Sequence, residues 1–93
     1  MNREQIRGVL HTIFEEETGE TVASLSDQDV LAKDFALDSV DMVGLLMRVE
    51  GHFHVRLTNT ELADSPTVGA LIDLVRAKIE APEQGAAEVR AAA

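Results

Sequence analysis

Ile6, Val9, Leu10, Ile13 and Phe14 occupy the i, i+3, i+4, i+7 and i+8 positions of a single helical face. A helix with one apolar stripe must bury it, so the pattern commits a chain of 93 residues to packing helices around one modest core. Asn2 is placed to cap this first helix, with Gln5 three residues on, and Gly19 is placed to end it in a left-handed conformation. From Glu20 to Asp38 no period holds for long and Ser, Thr and Asp recur, which reads as a long loop. A loop of that length needs anchors. Leu25, Val30, Leu31, Phe35 and Leu37 can provide them, with one short turn expected around Asp27 to Leu31.

The helical period then resumes. Val40, Val43 and Met47 fall on one side, while Leu45, Leu46, Val49 and Phe53 cover the adjacent arc. Apolar residues take more than half of this second helix, and a small bundle needs only one stripe. The surplus of Val40, Val43 and Met47 is therefore either extra core or a surface for a partner. Thr58 and Glu61 stand at capping-box spacing and suggest a one-turn helix carrying Leu62 inward. Ser65 is expected to cap the last helix, with Pro66 at its first position and Val68, Leu71, Ile72, Val75 and Ile79 as its buried stripe. The expectation is an all-α fold, a small right-angled or antiparallel bundle of three main helices plus one short helix, with a long loop between the first and second. Residues 1–81 form the domain, and residues 82–93 form a flexible Ala-rich tail.

Composition bounds the chemistry. Three Phe and no Trp or Tyr make the core aliphatic, and the absence of Cys excludes disulfides and thiolate zinc sites. Eight basic residues against seventeen acidic ones give a net charge of −9, which argues against nucleic acid and anionic membrane as partners. Residues 1–41 hold ten acids and three bases, net −7, whereas residues 42–93 hold seven and five, net −2. Basic partners are expected. No apolar run approaches the ~20 residues of a membrane span, so the chain is read as a soluble, cytoplasmic monomer.

No constellation for catalysis stands out. Ser39 with His11, His52 or His54 lacks a Gly-x-Ser-x-Gly elbow and room for an oxyanion pocket. His52 and His54 are two apart, a spacing that diverges on a helix. Asp27, Asp29 and Asp34 are spaced somewhat like a calcium loop, but Ala32 stands where that loop needs Gly. No catalytic residue and no metal site are expected, and the chain is not read as an enzyme.

Ser39 is the residue left to explain. Asp38 is a good N-cap for the second helix, which makes Ser39 its first residue, where free N–H groups and the helix dipole favour an anion. A phosphate attached there would sit well. At this junction the sequence carries a resemblance: "LDSV" after a long loop, then "MVGLLMRVEGHFHVRLTNTEL" and "SPTVGALIDLV", resembles the acyl carrier proteins over residues 4 to 80. The resemblance implies a free-standing carrier whose Ser39 holds a covalent phosphopantetheine arm derived from coenzyme A. Asp38 would assist that modification. The arm's thiol would carry acyl groups as thioesters between acyl-loading and acyl-processing enzymes. A phosphopantetheinyl transferase must supply the activation, since serine is a weak nucleophile without a base.

Departures from the family pattern narrow the expectation. Fatty-acid carriers usually have a strongly acidic second helix, whereas residues 39–53 hold only Asp41 and Glu50 against Arg48. Docking is expected to use Val40, Asp41, Val43, Gly44 and Met47, with apolar contact outweighing charge. Gly44 would leave a gap beside Val40 and Met47. A specialised polyketide, fatty-acid-like or other natural-product pathway fits this better than general fatty-acid synthesis. Ala36 stands where the family often has Gly, and Val40 replaces the usual Leu. The alternatives are a peptidyl (aminoacyl) carrier, whose common Gly-Gly-x-Ser entry is absent, and an unmodified carrier-like adaptor.

Overall fold

The structure is a computed structural model that describes residues 1–80, so the expected tail at 82–93 lies outside the described residues. Among the described residues five helices follow one another: α1 (Arg3–Thr18), α2 (Leu31–Asp34), α3 (Ser39–Phe53), α4 (Asn59–Ala63) and α5 (Val68–Glu80). The all-helical bundle is as expected, with α2 as one short element more. None of these helices is long and apolar enough to cross a membrane.

The first helix begins and ends where its sequence says. Gln5 N donates to Asn2 Oδ1 at 2.8 Å while Asn2 N donates to Gln5 Oε1 at 2.9 Å, so two backbone N–H groups at the helix start are satisfied reciprocally. Gly19 closes the helix at φ 72°, its N–H on the Glu15 carbonyl. The stripe of Ile6, Leu10, Ile13 and Phe14 is fully buried, and α1 packs against both α3 and α5. Truncating any one of these to alanine removes buried apolar surface and leaves a cavity, at about 2–5 kcal/mol each.

The long connection is held by backbone bonds that sequence alone does not reveal. Leu31 N donates to the Pro66 carbonyl at 2.9 Å, Val68 N to the Asp29 carbonyl at 2.9 Å, and Gly69 N to the Asp27 carbonyl at 3.0 Å. Val30 and Thr67 pair as an isolated antiparallel bridge. These bonds correct two boundaries. The turn at residues 27–28 is followed by extended chain, and helix begins only at Leu31. The last helix begins at Val68 rather than at Pro66, because residues 66 and 67 stay extended to pair with the loop. Thr67 Oγ1 then accepts from Ala70 N at 3.2 Å in place of the expected Ser65 cap, and Ser65 is buried.

Side chains fasten the same connection to α1. Arg3 bonds both Asp27 and Asp73, tying α1 to the loop and to α5, and Arg7 Nη2 lies 2.7 Å from Asp27 Oδ1 as an ion pair rather than a well-aligned hydrogen bond. The Arg7 contact, opposed by some desolvation and reinforced by Arg3, holds the Asp27 carboxyl below its ordinary range. Arg7 Nη1 also donates to the Leu25 carbonyl at 3.1 Å. One turn along, His11 Nε2 donates to the Val22 carbonyl at 2.6 Å and Glu15 Oε2 accepts from Val22 N at 2.9 Å. Arg7, His11 and Glu15 form one helical row, and each reaches loop backbone that has no ladder of its own.

Candidate functional site

Ser39 is exposed and is the first residue of α3. Its position is fixed by a reciprocal box like that of α1: Asp41 N donates to Asp38 Oδ1 at 2.9 Å, and Asp38 N donates to Asp41 Oδ2 at 3.2 Å. Met42 N reaches the Asp38 carbonyl at 2.9 Å, so the helix starts cleanly at the residue after the cap. The Ser39 hydroxyl makes no hydrogen bond to another described residue. No imidazole is poised to take its proton. His11 is committed to Val22 and His52 lies 3.2 Å from Glu16, while His52 and His54 sit at the other end of α3, about 20 Å along the helix axis. The hydroxyl is thus exposed at the start of α3, away from all three imidazoles.

The surplus apolar residues of α3 are surface, not core. Leu45, Val49 and Phe53 are buried, whereas Val40, Val43 and Met47 are 77%, 48% and 64% exposed. Val43 and Met47 follow Ser39 at four and eight residues, so the apolar strip runs down the helix from the serine. Few free charges accompany it. Arg48 Nε donates to Glu17 Oε1 at 3.0 Å and Arg48 lies 3.5 Å from Glu16, both on α1. Glu50 Oε2 accepts from Leu57 N at 2.9 Å. Asp41 is half-buried in its cap. Most of the charge on α3 is thus spent inside the molecule.

Gly44 does not open the expected gap beside Val40 and Met47. A Cβ there would lie 2.5 Å and 2.8 Å from the carboxylate oxygens of Glu17, so Gly44 faces α1 and its missing side chain makes room for the Glu17–Arg48 pair. The sequence could not reveal this, because the space is filled from a helix some thirty residues away. Ala36, which stands where the resembling family often has Gly, adopts φ 52°, the left-handed region that favours glycine. Among the described residues no group of three or more His, Cys, Asp and Glu is arranged to hold a metal ion.

Comparison with known proteins agrees with this geometry. The family described as "Phosphopantetheine attachment site" matches residues 8–75. The acyl carrier protein of Thermotoga maritima is 28% identical over 78 residues, covering 84% of this chain and 96% of that protein. The acyl carrier protein of Myxococcus xanthus is 27% identical over 74 residues, covering 80% and 94%. The crystal structure of the Thermotoga maritima protein superposes with a TM-score of 0.76 over 86% of this chain and 93% of that one, at 28% identity. The solution structure of a holo acyl carrier protein from Geobacter metallireducens gives 0.72 over 83% and 88%, at 25% identity. A helical bundle that presents a serine at the start of its third helix, matched along most of its length by these proteins, belongs to the phosphopantetheine-attachment family as an acyl carrier protein and carries a covalent phosphopantetheine arm.

Proposed function

We propose that Ser39 is the residue to which the arm is attached, and that the chain carries acyl intermediates as thioesters for a specialised polyketide, fatty-acid-like or other natural-product pathway in the cytoplasm. The observation that carries the assignment is the exposed, unengaged hydroxyl at the first residue of α3, within the matched residues 8–75. In the modification the Ser39 oxygen attacks the coenzyme A phosphorus that bears the pantetheine. A new O–P bond forms, the pyrophosphate P–O bond breaks, and 3′-phosphoadenosine 5′-phosphate leaves. The serine proton passes to a base of the transferase, since this chain positions none. Asp38 keeps Oδ2 outside its capping bond and assists there, while Oδ1 holds the helix start.

Once attached, the arm supplies the thiol and the reach, and tethering raises the effective concentration of the cargo at each partner enzyme. The monomeric carrier meets those partners through Val40, Val43 and Met47, with Asp41 at the edge. A partner for this strip presents an apolar shelf rather than a field of arginines, because Arg48 and Glu50 are already engaged within the fold. The test is direct. Incubation with coenzyme A, magnesium and a broad-specificity phosphopantetheinyl transferase adds one arm to the wild-type chain and none to Ser39→Ala. An arm on the alanine variant refutes the assignment.

A further inference from the structure

The segment that delivers Ser39 contains one backbone conformation an alanine does not choose. After α2 ends at Asp34, Phe35 caps it at φ −113° and ψ 7°, and Ala36 then turns left-handed at φ 52°. That is where a helix of this kind ordinarily ends in glycine. Both neighbours explain why the chain holds the turn. The Phe35 ring packs edge-on to Phe14 with centroids 4.9 Å apart, and Leu37 is buried in the core. With consecutive anchors on either side, the reversal is left to residue 36, and the next residues are Asp38 and Ser39.

We infer that Ala36 is a positioning residue for the group transfer onto Ser39. Its left-handed conformation sets the path by which the chain enters α3, and so the direction in which the hydroxyl meets coenzyme A. This inference rests on Ser39 as the attachment site. It concerns backbone conformation and not side-chain bulk, because Ala36 is exposed and borders an open cleft of about 410 Å³ formed with Thr18 and residues 20–24.

Two substitutions of similar size separate these causes. Asn tolerates the left-handed region, whereas Val, branched at Cβ, is excluded from it. Transferase-catalysed modification of Ala36→Asn and Ala36→Gly should keep the wild-type kcat within about twofold. Ala36→Val should lower kcat by roughly tenfold to a hundredfold, the scale of a misplaced reacting group, with KM nearly unchanged because the docking strip is intact. A residue that only stabilised the fold would lower the melting temperature and leave kcat for the folded protein alone. Should Ala36→Val fail to fold, Ala36→Leu, unbranched at Cβ but still disfavoured there, carries the same comparison. Wild-type kcat in the folded Val or Leu variant overturns the inference, as does an Asn variant as slow as Val. A wild-type chain that no active transferase modifies overturns instead the assignment of Ser39.

Discussion

Replacing Gly44 by alanine tests how α1 and α3 meet. In an open helix the change should stabilise by about 1 kcal/mol, the propensity difference between the two residues. Here the new Cβ would lie 2.5 Å from Glu17 Oε1 and 2.9 Å from Glu17 Cδ, well inside contact distance, so the carboxylate must move by roughly 1 Å to reach ordinary contact. Glu17 is 13% exposed and bonded to Arg48 Nε at 3.0 Å. Moving it weakens a half-shielded charged contact, at about 1 kcal/mol or somewhat more. The two effects cancel, and Gly44→Ala alone should change stability by less than about 1 kcal/mol. In a Glu17→Ala background nothing opposes the added methyl, and the same substitution should raise stability by about 1 kcal/mol, or 4–8 °C for a domain of this size. Urea titration of the four proteins gives the coupling, expected at about 1 kcal/mol. Equal stabilisation in both backgrounds would refute the close approach of Gly44 to Glu17.

Other substitutions probe separate parts of the fold. Gly69→Ala should destabilise by about 1–3 kcal/mol in urea titration, because its Cβ would lie 2.9 Å from Asp27 Cβ and 3.1 Å from the Asp27 carbonyl that accepts the Gly69 N–H. Ala36→Gly should add about 0.5–1 kcal/mol by relieving the left-handed alanine, measured in the same way. The Asp27 carboxyl lies below its ordinary value near 3.8, so its stabilisation is full above that pH and is lost as pH falls through the lowered folded value. Asp27→Asn should therefore flatten the acid limb of the stability profile below about pH 4. Val43→Asp should weaken binding to a partner enzyme by roughly tenfold or more, whereas Asp41→Asn and added salt should act only modestly.

The helices were legible from local signals, the apolar periods of α1, α3 and α5 and the caps of α1 and α4, as with Asn2 and Gln5 on α1 and Thr58 and Glu61 before α4. The place of Ser39 as the first residue of α3 was legible for the same reason, since Asp38 caps that helix locally, whereas the reciprocal bond from Asp41 was not read. What escaped the sequence depends on partners far along the chain. Ser65 and Pro66 look like a helix start until the loop claims the Pro66 carbonyl for Leu31 and the Asp29 carbonyl for Val68. Gly44 looks like a surface gap until Glu17 fills it. The exposure of Val40, Val43 and Met47 lay between, since periodicity marked them as surplus without saying where the surplus went.

The central claim is that one arm, on Ser39, makes this chain a carrier of acyl groups. Intact-mass analysis of the protein purified from a host with an active phosphopantetheinyl transferase, followed by fragmentation to locate the added mass, tests it most directly. The account predicts a single phosphopantetheine on Ser39, bearing either a free thiol or an acyl thioester. An unmodified chain, an arm on another residue, or an aminoacyl cargo in place of an acyl group would contradict it.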